Sequence, residues 1–182
     1  MTTIYSFAPI VDSHARVLIL GSMPGQASLN AGQYYAHPQN AFWRIMGELL
    51  DFDPAIASYT EKTTALKSAH IALWDVLQSC RREGSLDSSI EIQSQVVNDF
   101  ESFFKTHTHI RFVFFNGGKA EDCFRRYVLR DTALDFVQLS RLPSTSPANA
   151  TLSFAHKRDK WRQMLMDTLF ISQNRSDQLS VR

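Results

Sequence analysis

The sequence predicts an α/β domain built on a parallel sheet with helices on both faces. Three observations predict it. Four short apolar runs recur, at residues 16–20 (RVLIL), 70–74 (HIALW), 110–115 (IRFVFF) and 134–139 (LDFVQL). The first three are nearly continuous rather than alternating, which suits strands buried on both faces. Helical spacings separate the runs, and strands alternating with helices imply right-handed crossovers.

The elements follow in order. After the first strand, Phe42, Ile45, Met46 and Leu49 repeat at three and four residues, with Pro38 near the start, and predict a helix. Residues 55–67 form a second, weaker helix before the strand at 70–74. Val96, Val97, Phe100, Phe103 and Phe104 predict a third helix. The strand at 110–115 leads into a fourth over residues 118–129, packing Phe124, Tyr127 and Val128. After the last strand, Phe154, Trp161, Leu165 and Leu169 predict the final helix, with Ser153 as its N-cap. The chain shows no internal repeat and no interior linker. One domain over residues 1–172 is expected, with a polar, frayed tail at 173–182.

Composition bounds the function. The 182 residues suffice for one sizeable core, and 44% hydrophobic with 20% charged residues is a soluble, globular balance. Thirteen Phe, five Tyr and three Trp are mostly core, because large rings bury the most area. A net charge of +1 argues against a long basic surface gripping many phosphates, so any nucleic-acid contact should be short and focused. Cys80 and Cys123 stand far apart, without metal-ligand spacing. No metal and no cofactor are expected. No apolar run is long enough to span a membrane and no basic-then-apolar leader is present, so a cytoplasmic protein is expected.

Ligand sites in such folds lie at the carboxyl ends of the strands. That rule selects loops beginning at Gly21, Asp75, Asn116 and Ser140. The first opens as Gly21-Ser22-Met23-Pro24-Gly25, a tight turn that exposes backbone N–H groups and by itself reads as a connector. Its continuation, residues 34–43 (YYAHPQNAFW), changes that reading. Tyr35 offers a face for stacking a base, and Asn40 at a helix start carries an amide that both donates and accepts. Phe42 and Trp43 read as core. Asn116, before Gly117-Gly118, either caps the following helix or reads a base edge. In residues 142–150 (LPSTSPANA), the hydroxyls of Ser144, Thr145 and Ser146 and the amide of Asn149 suit phosphate contacts, although locally the segment also reads as a Pro-rich connector. Arg81-Arg82 and the Lys157, Arg158, Lys160, Arg162 group read as solvated charge near the same face.

Together, residues 21–43 (GSMPGQASLNAGQYYAHPQNAFW), 114–121 (FFNGGKAE) and 142–150 resemble the uracil-DNA glycosylase superfamily, within it most the DNA-deoxyinosine glycosylase branch. The first motif is long and specific; the middle one is weaker alone. The resemblance implies a three-layer α/β/α fold around a four-stranded parallel sheet. It implies metal-free hydrolysis of the N-glycosidic bond of a flipped-out nucleotide. Mismatch-directed relatives carry a catalytic Asn where this chain has Met23, which cannot orient water through an amide. In the family a downstream His-Pro-x-Asn element lies beside the pocket, here His37 to Asn40, and the resemblance to the deoxyinosine branch implies Asn40 as the catalytic amide. Tyr35 aligns with the ring that stacks on the extruded base, and Asn116 with a base-reading position. Gly21, Ser22, Met23 and Pro24 become a backbone cradle for the base edge. In uracil-specific relatives the closing motif begins with His; here it begins with Leu142.

The expected function is excision of a deaminated base, hypoxanthine foremost, by a monomer acting on double- or single-stranded DNA. Two alternatives stand beside it: a uracil- or mismatch-directed glycosylase of the same superfamily, and a lesion-binding protein with little catalysis. A flavodoxin-like nucleotide-binding module lacks its phosphate loop.

Overall fold

The computed structural model describes residues 2–130 and 134–179, with side chains to Leu169. In chain order, the strands and helices are β1 (Thr3–Tyr5), β2 (Val17–Gly21), α1 (Gln26–Ala31), α2 (Phe42–Leu50), α3 (Tyr59–Ser68), β3 (Ile71–Asp75), β4 (Leu77–Arg81), β5 (Val96–Val97), α4 (Phe100–Thr106), β6 (Phe112–Asn116), α5 (Gly118–Tyr127), β7 (Gln138–Leu142) and α6 (Phe154–Leu179).

The main sheet has the order β3-β2-β6-β7, and each neighbouring pair is parallel. β2 and β3 are buried at every position, as continuous apolar runs require when helices cover both faces. The register sets Gly21 beside Asp75 and Asn116 beside Leu142, so all four strands end at one face. A second, antiparallel sheet of order β1-β4-β5 is added at the β3 side, and its strands are too short to show a sequence period. Among the described residues, no helix is long and apolar enough to cross a membrane.

Three boundaries depart from the sequence expectation. The last strand is β7, displaced from the apolar run at 134–139. Leu134 and Val137 are buried in the approach to the strand rather than within it. Val96 and Val97 pair with β4 instead of opening a helix. The Asn98 side chain donates to Asp75 O at 2.8 Å and its N–H to Val76 O, and α4 starts only after Asp99 caps Ser102 N. α3 starts at Tyr59, not near Ala55. Ser58 and Glu61 form a reciprocal capping box there, while Asp53 holds residues 55–57 in a turn. The expected N-cap at Ser153 is present, its Oγ accepting from His156 N. α6 continues to Leu179, into the segment read as a tail, and positions 180–182 lie outside the described residues.

Candidate active site

The strand ends surround a cleft of about 420 Å³. The turn after β2 forms its floor. Gly21 O accepts from Val76 N and Ser22 O from Leu77 N, which extends the β2–β3 ladder into the turn. Arg82, buried, donates through Nη2 to Pro24 O at 2.6 Å, and Ser22 Oγ donates to the Asp87 carboxylate at 2.8 Å. The turn is therefore fixed from outside by residues 82–87. Met23 is buried and brings only a thioether to the wall. The N–H groups of Met23 and Gly25 donate to no group among the described residues.

An aromatic cluster positions the next wall. Trp43 Nε1 donates to Tyr34 O at 2.8 Å, and the Tyr34 hydroxyl reaches Phe7 O and Ala8 O. Phe42 and Trp43 are core, as their sequence reading held. Tyr35 adopts φ 55°, a left-handed conformation that costs a bulky residue roughly 1–3 kcal/mol. Its ring stacks on Phe42 with centroids 4.2 Å apart, so one face is covered while the ring still lines the cleft. The Tyr35 hydroxyl is buried near Asp75 without a hydrogen-bond partner, and burial, with the charge of Asp75 adding to it, pushes its pKa well above the ordinary range.

Asn40 lies one residue before the α2 N-cap. Its Oδ1 accepts from Phe42 N at 3.0 Å and its own N–H donates to His37 O. The amide is thereby turned one way, and its NH2 has no partner among the described residues. Asn40 lines the cleft.

Asn116, at the end of β6, donates through Nδ2 to Thr145 Oγ1 and accepts at Oδ1 from Thr145 N, both at 2.8 Å. Two of its four bonding positions are used, leaving one N–H and one lone pair. Gly117 follows at φ 98°, and a Cβ there would lie 2.8 Å from Ser144 Cβ. Glycine is thus required where the two loops touch.

The closing loop corrects one expectation. Thr145 was expected to contact phosphate, but it is 1% exposed. Its hydroxyl and N–H are held by Asn116 and its carbonyl by Ala41 N, so it ties the loop to α2 instead. Ser144, Ser146 and Asn149 do line the cleft. Each hydroxyl accepts one local backbone N–H, from Ser146 and Ala148 respectively, and keeps its own proton to donate. Leu142 is buried and carries no polar chemistry to the site. Lys157, read as solvated charge, is also corrected: it is buried, and its Nζ reaches Asn149 O at 2.6 Å and Ser146 O at 3.4 Å. Arg82 is corrected in the same way, by the bond to Pro24 that buries it.

Two carboxyls in the cleft escaped the sequence reading. Asp75 is fully enclosed at the end of β3, where its Oδ2 accepts from Ser6 Oγ at 2.8 Å. Burial is the main cause that raises its pKa to about 7; the charge of Asp87 adds to it, while the Ser6 hydroxyl and Arg82 oppose. A Cβ at position 21 would overlap Asp75 Oδ1 and approach the Tyr35 hydroxyl at 3.0 Å, so Gly21 is required by contact. Burial likewise raises Asp87, against Ser22, Arg82 and Lys119. An ionisable residue ending a buried apolar run, as Asp75 does, was the available signal.

A glycine turn, an aromatic ring and two side-chain amides meet at the carboxyl ends of a four-stranded parallel sheet in an α/β/α fold. The sequence profile described as "Uracil DNA glycosylase superfamily" matches residues 8–169, and the chain belongs to that superfamily and is by class a DNA glycosylase. It is 34% identical over 155 residues to a protein from Methanosarcina acetivorans named hypoxanthine DNA glycosylase, covering 85% of this chain and 93% of the other. A protein of the same name from Methanosarcina barkeri is 38% identical over 114 residues, covering 63% and 71%. A solution NMR structure of a Methanosarcina acetivorans protein, provisionally described as a uracil DNA glycosylase, superimposes with a TM-score of 0.76 at 32% identity, covering 92% of this chain and 99% of that one.

Proposed function

We propose that this glycosylase excises hypoxanthine from deoxyinosine in DNA, with Asn40 as its catalytic amide. The observation that carries the reading is Asn40 itself: its Oδ1 is fixed on Phe42 N while its NH2 stays unpartnered in the cleft that Tyr35 and Asn116 also line. The relatives named hypoxanthine DNA glycosylases support the choice of base.

The target bond is unreachable inside a duplex, so the nucleotide is extruded, at a cost lowest for mispaired or damaged bases. The free face of Tyr35 stacks on the extruded ring. The remaining N–H of Asn116 faces the 6-oxo group, and its remaining lone pair accepts from N1–H; the N–H groups of Met23 and Gly25 supply further donors. As the bond breaks, the sugar gains oxocarbenium character and the base leaves as an anion. Oriented donors stabilise that charge without reorganising. Asn40 holds the attacking water. An amide is too weak a base to deprotonate water early, so the reaction is dissociative and requires a good leaving group, which a 6-oxopurine is. Leu142, where uracil-specific relatives carry His, removes a donor suited to uracil.

Ser144, Ser146 and Asn149 contact the DNA backbone in this reading. Two buried free cysteines suit a reducing cytoplasm. The test is base release from duplexes and single strands holding hypoxanthine, uracil or xanthine. Hypoxanthine should be released fastest; release of uracil alone overturns the substrate, and release of none overturns the reading.

A further inference from the structure

The turn at the floor of the cleft presents two backbone donors, Met23 N–H and Gly25 N–H, and they are not equivalent. The Ser22–Met23 peptide has its carbonyl on Leu77 N, a neutral donor, at 3.1 Å. The Pro24–Gly25 peptide has its carbonyl on the Arg82 guanidinium, through Nη2 at 2.6 Å. Carbonyl and N–H point opposite ways across a trans peptide. The bond that turns Pro24 O toward Arg82 therefore turns the Gly25 N–H away from it. Gly25 lines the cleft and Arg82 does not.

Arg82 carries its charge in the interior. It is 5% exposed and forms no ion pair among the described residues. The carboxylates that feel its charge, Asp75 and Asp87, accept from the Ser6 and Ser22 hydroxyls instead. Its other bond goes to Gly84 O, and Nη1 has no partner among the described residues. Bracing the turn needs only a donor, which an uncharged amide would supply without the cost of burying a cation. What the cation adds is polarisation. A carbonyl that accepts a charge-assisted hydrogen bond makes its own peptide N–H a stronger donor, because linked bonds polarise one another in a low-dielectric interior.

We infer that Arg82 is a positioning residue for the departing base: through Pro24 O it aims and polarises the Gly25 N–H, which then favours the base more as an anion than as the neutral group first bound. A donor whose advantage grows with charge on the base lowers the barrier without tightening the ground state. The inference rests on the glycosylase reading above and names which of its donors acts on the leaving group.

The test is a double-mutant cycle read by single-turnover release of hypoxanthine from an inosine duplex. Arg82→Gln keeps an amide donor but removes the charge, and release should slow by about tenfold or more, while Arg82→Lys should recover part of that loss. Gly25→Pro removes the N–H, and the backbone there, at φ −71°, already suits the proline ring. It should slow release by about a hundredfold, the scale of one lost donor to a developing anion. In the double variant the Arg82→Gln change should cost less than about twofold further, because the N–H through which it acts is gone. Binding of Arg82→Gln to a duplex holding 2′-fluoroarabinosyl inosine, whose glycosidic bond resists hydrolysis, should stay within about twofold of native. Losses that multiply in the double variant, a loss of binding as large as the loss of rate, or no loss in Arg82→Gln overturn the inference. Where Arg82→Gln does not fold, Gly25→Ala decides: it keeps the N–H, and its Cβ would meet Ser85 at 3.7 Å, an ordinary contact. It should release base about tenfold faster than Gly25→Pro, and equal rates overturn the inference. Release by the native chain tests the glycosylase reading separately.

Discussion

Asn116 and Thr145 exchange two hydrogen bonds of 2.8 Å, joining the end of β6 to the loop that closes the cleft. The exchange orients the Asn116 amide before any ligand arrives. Thr145→Val keeps the volume but removes the acceptor for Asn116 Nδ2. The expected cost is about 1–3 kcal/mol of stability, the penalty for an unpaired buried donor. Base release should fall as well, and Thr145→Ser should retain both properties. Denaturant midpoints and kcat/KM check this.

Asp75 makes stability pH-dependent with a definite sign. Its folded-state pKa of about 7 lies above the roughly 3.9 of an exposed Asp. Its contribution is fully present below the unfolded value. As pH rises, the unfolded chain loses its proton first, so stability drains away up to about 7 and then levels off. Asp75→Asn keeps an oxygen for the Ser6 hydroxyl and removes the titration. Its unfolding free energy should fall less between about pH 4 and 7, and above that window it should exceed the native value by on the order of a few kcal/mol. Urea unfolding across this range would contradict the account if the two chains ran parallel.

Tyr35 separates ring from hydroxyl. The hydroxyl is buried and unpartnered, so Tyr35→Phe should leave stability unchanged or raise it by up to about 1 kcal/mol. Base release should stay near native. Tyr35→Ala removes the stacking face and should slow release by about tenfold or more, on a scale of about 1–3 kcal/mol per stacked base. Equal losses in both variants would assign the role to the hydroxyl instead.

These residues also mark what could be read from sequence. β2, β3 and β6 were legible as apolar runs because both faces of the sheet are covered. β7 was displaced because Leu134 and Val137 are apolar and buried without being strand. β1, β4 and β5 were illegible because they are short and only partly buried. Tyr35 and Asn40 stood out through their crowded neighbourhood, and the structure brings both to the cleft with Asn116. Asp75, Arg82 and Lys157 did not. Whether a charged side chain is solvated or buried depends on partners distant in sequence, here Ser6, Pro24 and Asn149.

The central claim is that Asn40 performs the chemistry. Losing its bond to Phe42 N should cost only about 1 kcal/mol of stability, as for other helix-start caps. The decisive measurement is single-turnover release of hypoxanthine by Asn40→Ala from an inosine duplex, at saturating enzyme and with the melting curve recorded. The account predicts a folded protein that still binds the duplex but releases base slower by about a thousandfold or more, several kcal/mol of transition-state stabilisation. Release at the native rate would contradict it.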